Sequence, residues 1–569
     1  MHFLTFVLLG LLSIFQCACG NTTSATVAET IVSVAACADG ASCTLTDALT
    51  QAQAVENPVI QLPSGTYEIS SDITFPVTIE SATSAASVSL LPKNILRGLS
   101  TSECRALELT SQPTFDTIIQ RKSDSDGAVL HVNLTNAENQ VVIKGVKLKG
   151  DAQHAALQIE SGHVSMDTVA LLGGFHMQGK NATASMTNVA IKSLENAVTL
   201  NVSSSDHAGA DAAYVSADAC GLAALQVTNG AVYTGINVDI GNHTPLGVCV
   251  SDAQATFCGG HIHDMVSSTD GGYGRGAEVI KGGDLKFIGT LIENNHEIGV
   301  LADGTGTALH FEDAAVVRKT ALGRQLTVAV GVATQSGATL SASALTINGV
   351  EGPGLYFYKA AASEVANTTL DGNTFAQMIA YASTVKVDDS VIQNTGKDIS
   401  YGYGAGIYID NAKHGGSTIT IDQTTVRDNL ATGILVKGDG GAVTISNSTI
   451  TGSIDFTLGN FSTMGQGIFV WDVCSGLTLS GNTISGNKGP QVHLYHAYAT
   501  MDPNTYVTNA YYDFVQSQCT DCVTTLSLAD LYSVGLSASD IVQTCESGSL
   551  LVNTSIDFSL GLNEVEPKE

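Results

Sequence analysis

A pattern of about ten residues recurs every 22 to 34 residues from position 142 to position 487, and nothing else in the chain limits its fold so tightly. Its strictest element is a pair of apolar residues five apart, followed in the fullest copies by Asn. Phe287 and Ile292 lead to Asn295, Leu340 and Leu345 to Asn348, Val365 and Leu370 to Asn373, Ile421 and Val426 to Asn429, and Leu479 and Ile484 to Asn487. Reduced copies keep the apolar pair alone, at Ile143/Leu148, Val164/Val169, Met186/Ile191, Tyr233/Val238, Phe257/Ile262, Phe311/Val316, Val387/Ile392 and Ile445/Ile450. A unit this short buries its apolar face only by stacking on the next. The 569 residues therefore read as one elongated array rather than several globular domains.

Alternation places the unit on strands. Val443 and Ile445 share one face and Thr444 takes the other, a period of two and not of 3.6. A second apolar strand headed by Gly precedes many copies, as in Gly354-Leu355-Tyr356-Phe357, Gly406-Ile407-Tyr408-Ile409, Gly433-Ile434-Leu435-Val436 and Gly467-Ile468-Phe469-Val470. Each unit thus holds at least two short strands with no helix between them, which describes a coil stacked on itself in parallel register. Coils stacked at ~4.8 Å would bring Asn295, Asn348, Asn373, Asn429 and Asn487 into one file at one corner. There each amide can donate and accept along the stack, and Asn tolerates the left-handed backbone of a sharp turn.

With these features the chain resembles the right-handed parallel β-helix, or pectate-lyase-like, superfamily. The strings GAVTISNSTITGS (441 to 453) and SGLTLSGNTISGNKG (475 to 489) carry the resemblance most clearly. At the other end, Cys43-Thr44-Leu45-Thr46-Asp47-Ala48-Leu49 before Ile60-Gln61-Leu62-Pro63-Ser64-Gly65-Thr66-Tyr67 looks like a capping helix entering a first coil. A cap keeps the unpaired edge of the end coil from pairing with another chain. The expected fold is all-β, a parallel β-helix over 55–500, with an N-terminal linker and capping segment over 20–54. A C-terminal cap or tail covers 501–569, where the repeat fades and residues 526–542 mix helical spacing.

Residues 1–19 carry an apolar core from Phe3 to Phe15 that is too short to span a bilayer and reads as a secretory signal. Its end, Gln16-Cys17-Ala18-Cys19, resembles a bacterial lipoprotein signal, with Cys19 as the lipid attachment residue, although Gln16 replaces the usual Leu. Lipidation and plain cleavage both remain open, and tethering to a bacterial cell envelope follows only from the first. Ten further cysteines, an even number in an exported chain, favour disulfides. Cys37 and Cys43, then Cys220, Cys249 and Cys258, and finally Cys519, Cys522 and Cys545 form local groups, with connectivity left open. A formal charge of −29 with only 24 Lys and Arg disfavours nucleic acid and anionic membrane surfaces as partners.

No catalytic set is complete. Gly452 to Asn460 resembles the pectin methylesterase segment that carries a nucleophilic Asp, here Asp455. Its acid partner and oxyanion donor are missing, and Leu322-Gly323-Arg324 stands on the wrong side of it. Asp388 and Asp389 echo the paired carboxylates of polygalacturonases, but Gly260-His261 precedes them where that family places its His afterwards. The pectate-lyase resemblance implies carboxylates for Ca2+ and a basic residue that removes a proton. Asp371, Asp388, Asp389, Arg427 and Asp428 are the candidate cation or glycan surface, and Ca2+ is the one cofactor considered. His261 and His263 have a spacing that can chelate a metal, but with no third ligand identifiable from sequence they read as surface histidines without a metal. The aromatic stretch His493 to Tyr498, with Tyr506, Tyr511 and Tyr512 beyond, either stacks on sugar rings or packs the C-terminal cap.

Two functions are carried forward. The first is an exported, non-catalytic scaffold or adhesin-like protein that binds glycans or envelope components. The second is a polysaccharide lyase or glycoside hydrolase acting on acidic polysaccharide. Mass spectrometry of the mature N-terminus decides the anchoring question: a lipid-modified Cys19 is the expected outcome of tethering, and an unmodified residue beyond Cys19 removes it.

Overall fold

A computed structural model describes residues 30–34, 42–69, 72–82, 115–121, 127–192 except 137–138 and 151–154, 220, 223–322 except 244 and 268–273, and 329–501 except 397–403, 413–414, 455, 459–460 and 464, with the short strands 505–507, 514–517 and 541–544. The leader, Cys19, Cys37, Arg324, Asp455, Tyr511, Tyr512, Cys519, Cys522 and Cys545 lie outside the described residues.

Each regular coil is a triangle of three strands, one more than the sequence requires. A five-residue strand such as Thr418–Asp422 leads into a three-residue strand such as Thr425–Arg427, and then into a six-residue strand such as Thr432–Lys437. Every strand pairs in parallel with its equivalent one coil away: Ile421 with Ile445, Val426 with Ile450, Ile434 with Ile468. Among the described strands the antiparallel hairpin Phe456–Leu458 with Phe461–Thr463 departs from this pattern. Parallel pairing also runs past both expected boundaries of the helix. Thr30–Ser33 pairs with 58–61, and Phe514–Ser517 extends the six-residue sheet to Ile541–Thr544.

Inward residues of all three sheets fill one bore. Phe287, Leu340, Ile421 and Leu479 are buried in the same continuous apolar cluster, which reaches from Val32 to Ala499. Aromatic rings stack within it along Phe175, Tyr233, Phe257, Phe287 and Phe311, at centroid distances of 6.3, 5.2, 5.4 and 5.5 Å. The helix Thr46–Ala52 buries Ala48, Leu49 and Ala52 against the first coils, in the position expected of a cap.

Corners are turned by single left-handed residues. Asn367 follows the four-residue strand Ser363–Ala366, Asp389, Gln423 and Asn447 follow five-residue strands, and Asn394 and Asp428 follow three-residue strands, all with φ between 44° and 56°. Beside them sit buried polar side chains that reach from one coil to the one before. The amide oxygen of Asn429 accepts from the N–H and hydroxyl of Thr395, at 3.2 and 2.6 Å, while its Nδ2 donates to the Ile392 carbonyl at 3.3 Å. Asn373 serves the Val350 N–H and the Ile347 carbonyl in the same way, and Asn487 the Ser453 N–H and the Ile450 carbonyl. Serines do comparable work at the other corners: Ser390 accepts from the Thr368 N–H, and Ser383 from the Ala360 N–H.

The structure corrects the register of some copies. Asn295, Asn373, Asn429 and Asn487 occupy the corner, but Asn348 pairs with Asp371 at a strand end, and Val350 takes the corner instead. Ala342 and Ile347, not Leu340 and Leu345, align with Phe311 and Val317. Val164/Val169 and Tyr233/Val238 are likewise two residues early, since Met166 and Leu171 pair with Met186 and Ile191, which in turn pair with Gly235 and Ile240. In the Phe311 coil two consecutive left-handed residues, Asp313 and Ala314, lengthen the corner, so that Val317 faces inward and Val316 outward.

Asn429→Ala is expected to destabilise the stack by about 1–3 kcal/mol, the cost of stranding buried backbone groups. Asn348→Ala should stay within about 0.5 kcal/mol. Thermal unfolding with amide exchange at Thr395 measures both, and equal effects would contradict a ladder built on the corner Asn residues.

Candidate functional site

The five residues of the candidate cation or glycan surface fall on two edges of the triangle. Asp371 lies in one file with Gln393 and Arg427 on the three-residue strands. Its carboxylate accepts from Asn394 Nδ2 at 2.8 Å, and Arg427 Nε donates to Gln393 Oε1 at 2.7 Å. Asp388 ends a five-residue strand in register with Asp422 and pairs with Lys386 at 3.1 Å. Asp389 and Asp428 are exposed and occupy left-handed turn positions.

Sequence reasoning missed the outer face of the six-residue strands, where two files of side chains run across coils. Tyr356, Ile379, Tyr408, Leu435, Phe469 and His493 form one, and Tyr358, Tyr381, Asp410, Lys437, Trp471 and Tyr495 the other. Rings meet at edges and faces: Tyr381 with Tyr408 at 6.1 Å, Phe469 with His493 at 5.0 Å, Trp471 with Tyr495 at 6.0 Å. Most of this outer cluster is buried, whereas Tyr356 and Trp471 keep an open side. Within it the Tyr408 hydroxyl donates to Asp410 Oδ2 at 2.7 Å, and Lys437 Nζ lies 3.7 Å from the same carboxylate and 5.5 Å above the Trp471 ring. The signal was present as aromatics at the second or fourth place after Gly354, Gly406 and Gly467, but Gly433 lacks them and coil-length gaps scatter the set from 356 to 495. His493 and Tyr495, from the aromatic stretch noted in the sequence, belong to this face.

Further towards the N-terminus the same sheet's outer face is closed by a covalent and ionic cluster. Cys220 is disulfide-bonded to Cys249 there; elsewhere, Cys258 at the end of a five-residue strand and Cys474 beyond Trp471 are also in disulfides. Arg275 is buried and donates to Glu278 and Glu297, each at 2.9 Å. Burial pushes the Glu278 carboxyl up, against the opposing pull of Arg275.

A third place gathers titratable groups on the outer face of the three-residue strands, because Asp239, His261 and Leu291 share one register file and Gly241, His263, Glu293 and Arg318 the next. The His261 and His263 rings stack at 4.0 Å. His263 Nε2 is 2.9 Å from Asp239 and Nδ1 is 2.6 Å from Asp264. His261 Nε2 is 3.1 Å from Glu293, which Arg318 holds at 2.7 Å, and Lys192 approaches Asp239 at 3.6 Å. Burial and the neighbouring His263 lower the pKa of His261. For His263, burial acts downward, but the Asp239 and Asp264 carboxylates outweigh it and raise the pKa. Asp239 supplies the third group that His261 and His263 lacked in the sequence.

Burial pushes His493 down to about 4 from an ordinary 6.5. A depressed imidazole contributes stability that is complete above pH ~6.5 and is lost as pH falls towards 4. His493→Gln should therefore flatten the decline of melting temperature across that window, and an unchanged decline would refute this contribution.

Two family models match parts of this chain. The family model described as "right handed beta helix region" matches residues 325–484, and one described as "protein of unknown function (DUF1565)" matches residues 41–255. A search of curated proteins finds no match. Among solved structures, the A-module of the mannuronan C-5 epimerase AlgE6 of Azotobacter vinelandii aligns at 12% identity, covering 81% of this chain and 94% of that one, with a TM-score of 0.29. The catalytic unit of a GH87 alpha-1,3-glucanase from Streptomyces thermodiastaticus aligns at 13% identity, with coverages of 91% and 70% and a TM-score of 0.27. PfbA, a surface adhesin of Streptococcus pneumoniae, aligns at 10% identity, with coverages of 79% and 87% and a TM-score of 0.25. Scores this low carry nothing about activity. Among the described residues no helix is long and apolar enough to cross a membrane. With three parallel sheets around one bore and a matching repeat model, the chain is a right-handed parallel β-helix protein.

Proposed function

We propose that the protein is an exported scaffold, adhesin-like in role, that binds a glycan or a glycan-bearing envelope component along the outer face of its six-residue strands. The observation that supports this reading is the outward aromatic row that includes the part-open ring of Trp471, with Asp410 and Lys437 in the same file. Aromatic faces pack against the apolar faces of sugars, and a few oriented polar groups fix the ligand's position. A chain with a net charge of −29 repels polyanions at long range, so an uncharged glycan is the favoured ligand. The solenoid adds reach, because each coil repeats the platform one strand spacing further on.

On this reading residues 1–19 direct export, and Cys19 is the anchor if the protein is tethered. Asp371, Arg427 and Asp428 border this face and form a polar flank that can hold Ca2+ between protein and ligand, whereas Asp388 and Asp389 stand on the far edge of the three-residue strands. The non-catalytic role is preferred because Asp410 and Lys437, the charged groups of the aromatic face, are paired with each other rather than free for acid-base work.

A glycan-array screen of the mature chain, followed by titration of the hits, tests the proposal. Trp471→Ala is expected to weaken binding at least tenfold. Wild-type affinity in that variant, or an array without hits, would remove the aromatic face as the binding surface. Release of reducing ends or unsaturated uronates from a polysaccharide panel would move the protein to the lyase or hydrolase class.

A further inference from the structure

The stacked register places three ligand atoms from two adjacent coils around one point on the outer face of the three-residue strands. Asp239, His261 and His263 each contribute one atom, all within 4.8 Å of one another. Asp239 Oδ1 stands 2.9 Å from His263 Nε2 and 3.9 Å from His261 Nδ1. In a tetrahedral zinc site with bonds of ~2.0–2.1 Å, ligand atoms lie ~3.3 Å apart. Small side-chain rotations therefore suffice to reach that geometry.

We propose that Asp239, His261 and His263 bind one divalent cation of the zinc class, joining two coils and leaving a coordination position towards solvent. The groups behind the three ligands support the assignment. His263 turns its other ring nitrogen to the Asp264 carboxylate in a 2.6 Å hydrogen bond, and His261 Nε2 lies 3.1 Å from Glu293 without hydrogen-bond alignment. Glu293 is in turn held by Arg318 at 2.7 Å, and the second oxygen of Asp239 by Lys192 at 3.6 Å. A carboxylate behind each metal-binding imidazole fixes the ring orientation and makes the ligand more basic. His263 has that partner in Asp264, and Glu293 of the following coil stands within reach of His261.

Local backbone clears the space. His263 pairs in register with Gly241 of the preceding coil, and a Cβ at Gly241 would collide with His263 Nε2. Any larger residue would push the ring away from Asp239. Asp264 can stand beside His263 because it occupies a left-handed turn position, with φ 55°. An ordinary ion-pair network would account for the His263 contacts alone. It would not require a second imidazole stacked at 4.0 Å with Nδ1 turned to the same Asp239 oxygen and a buried Nε2 that makes no hydrogen bond.

The donor set also selects the ion. Two imidazoles and one carboxylate suit zinc and its neighbours, whereas Ca2+ takes six to eight oxygen ligands. This site is separate from the aromatic face, so its fate does not depend on glycan binding.

Full-length protein stripped with a chelator and titrated with Zn2+ by calorimetry should take up one ion per chain, with a rise in melting temperature, and Ca2+ should not compete. Co2+ should give the visible bands of a four-coordinate nitrogen and oxygen site, a readout that needs no variant. His261→Ala and His263→Ala should each weaken Zn2+ binding at least tenfold. Asp264→Asn, which keeps all three ligands, should weaken it ten- to a hundredfold. Absence of saturable Zn2+ binding, a thiolate-type Co2+ spectrum, or unchanged affinity in folded His261→Ala/His263→Ala protein would each overturn the assignment.

Discussion

Everything in this molecule depends on the pairing of each turn of backbone with the turn beside it. Strand hydrogen bonds satisfy the three faces without help from side chains. Corners are different, since the chain changes direction there and N–H and C=O groups would be left buried and unpaired. The protein answers with side chains that reach back one coil: Asn373, Asn429 and Asn487 at one corner, Ser390 at the second, Ser383 at the third. Left-handed residues next to these ladders make the turn short enough for the side chains to reach. With the corners satisfied, the bore needs only inward residues of about the right size, from Ala342 to Phe311 in adjoining layers.

The same stacking gives the outer faces their chemistry. A parallel ladder places residue upon residue at one strand spacing, so any polar or aromatic position repeated along the chain becomes a continuous file. The six-residue strands collect aromatics with an embedded Asp410 and Lys437 pair, and the three-residue strands collect imidazoles and carboxylates at Asp239, His261 and His263. Neither grouping is local in sequence. Acidity is distributed as well: Asp388 and Asp422 sit in one file with the hydroxyl of Ser446 donating to Asp422, which is held below the ordinary carboxylate range chiefly by that hydrogen bond.

Much of the fold was legible before any coordinates, because the apolar spacing and the Asn positions are backbone requirements written into every coil. The bore residues Phe287, Leu340, Ile421 and Leu479 were readable for that reason. Register was less legible. A β-strand repeats its facing every two residues, so a copy displaced by two still looks correct, which is how Leu340 stood in for Ala342 and Asn348 for the corner position held by Val350. The extra left-handed residue at Ala314 gave no sign in the apolar pattern and shifted the inward position from Val316 to Val317. His261 and His263 were noted for their spacing but read as surface histidines without a metal, because Asp239 lay a full coil earlier.

By itself the sequence determined that the chain is an all-β array of parallel coils with a single apolar bore, since repeat length, alternation and turn residues are local properties that each coil states independently. Only the tertiary structure decided which outward residues meet. Coil lengths vary, and the register between neighbouring coils is set jointly by corner geometry and bore packing. Trp471 beside Lys437, and Asp239 beside His263, are products of that register and of no sequence motif.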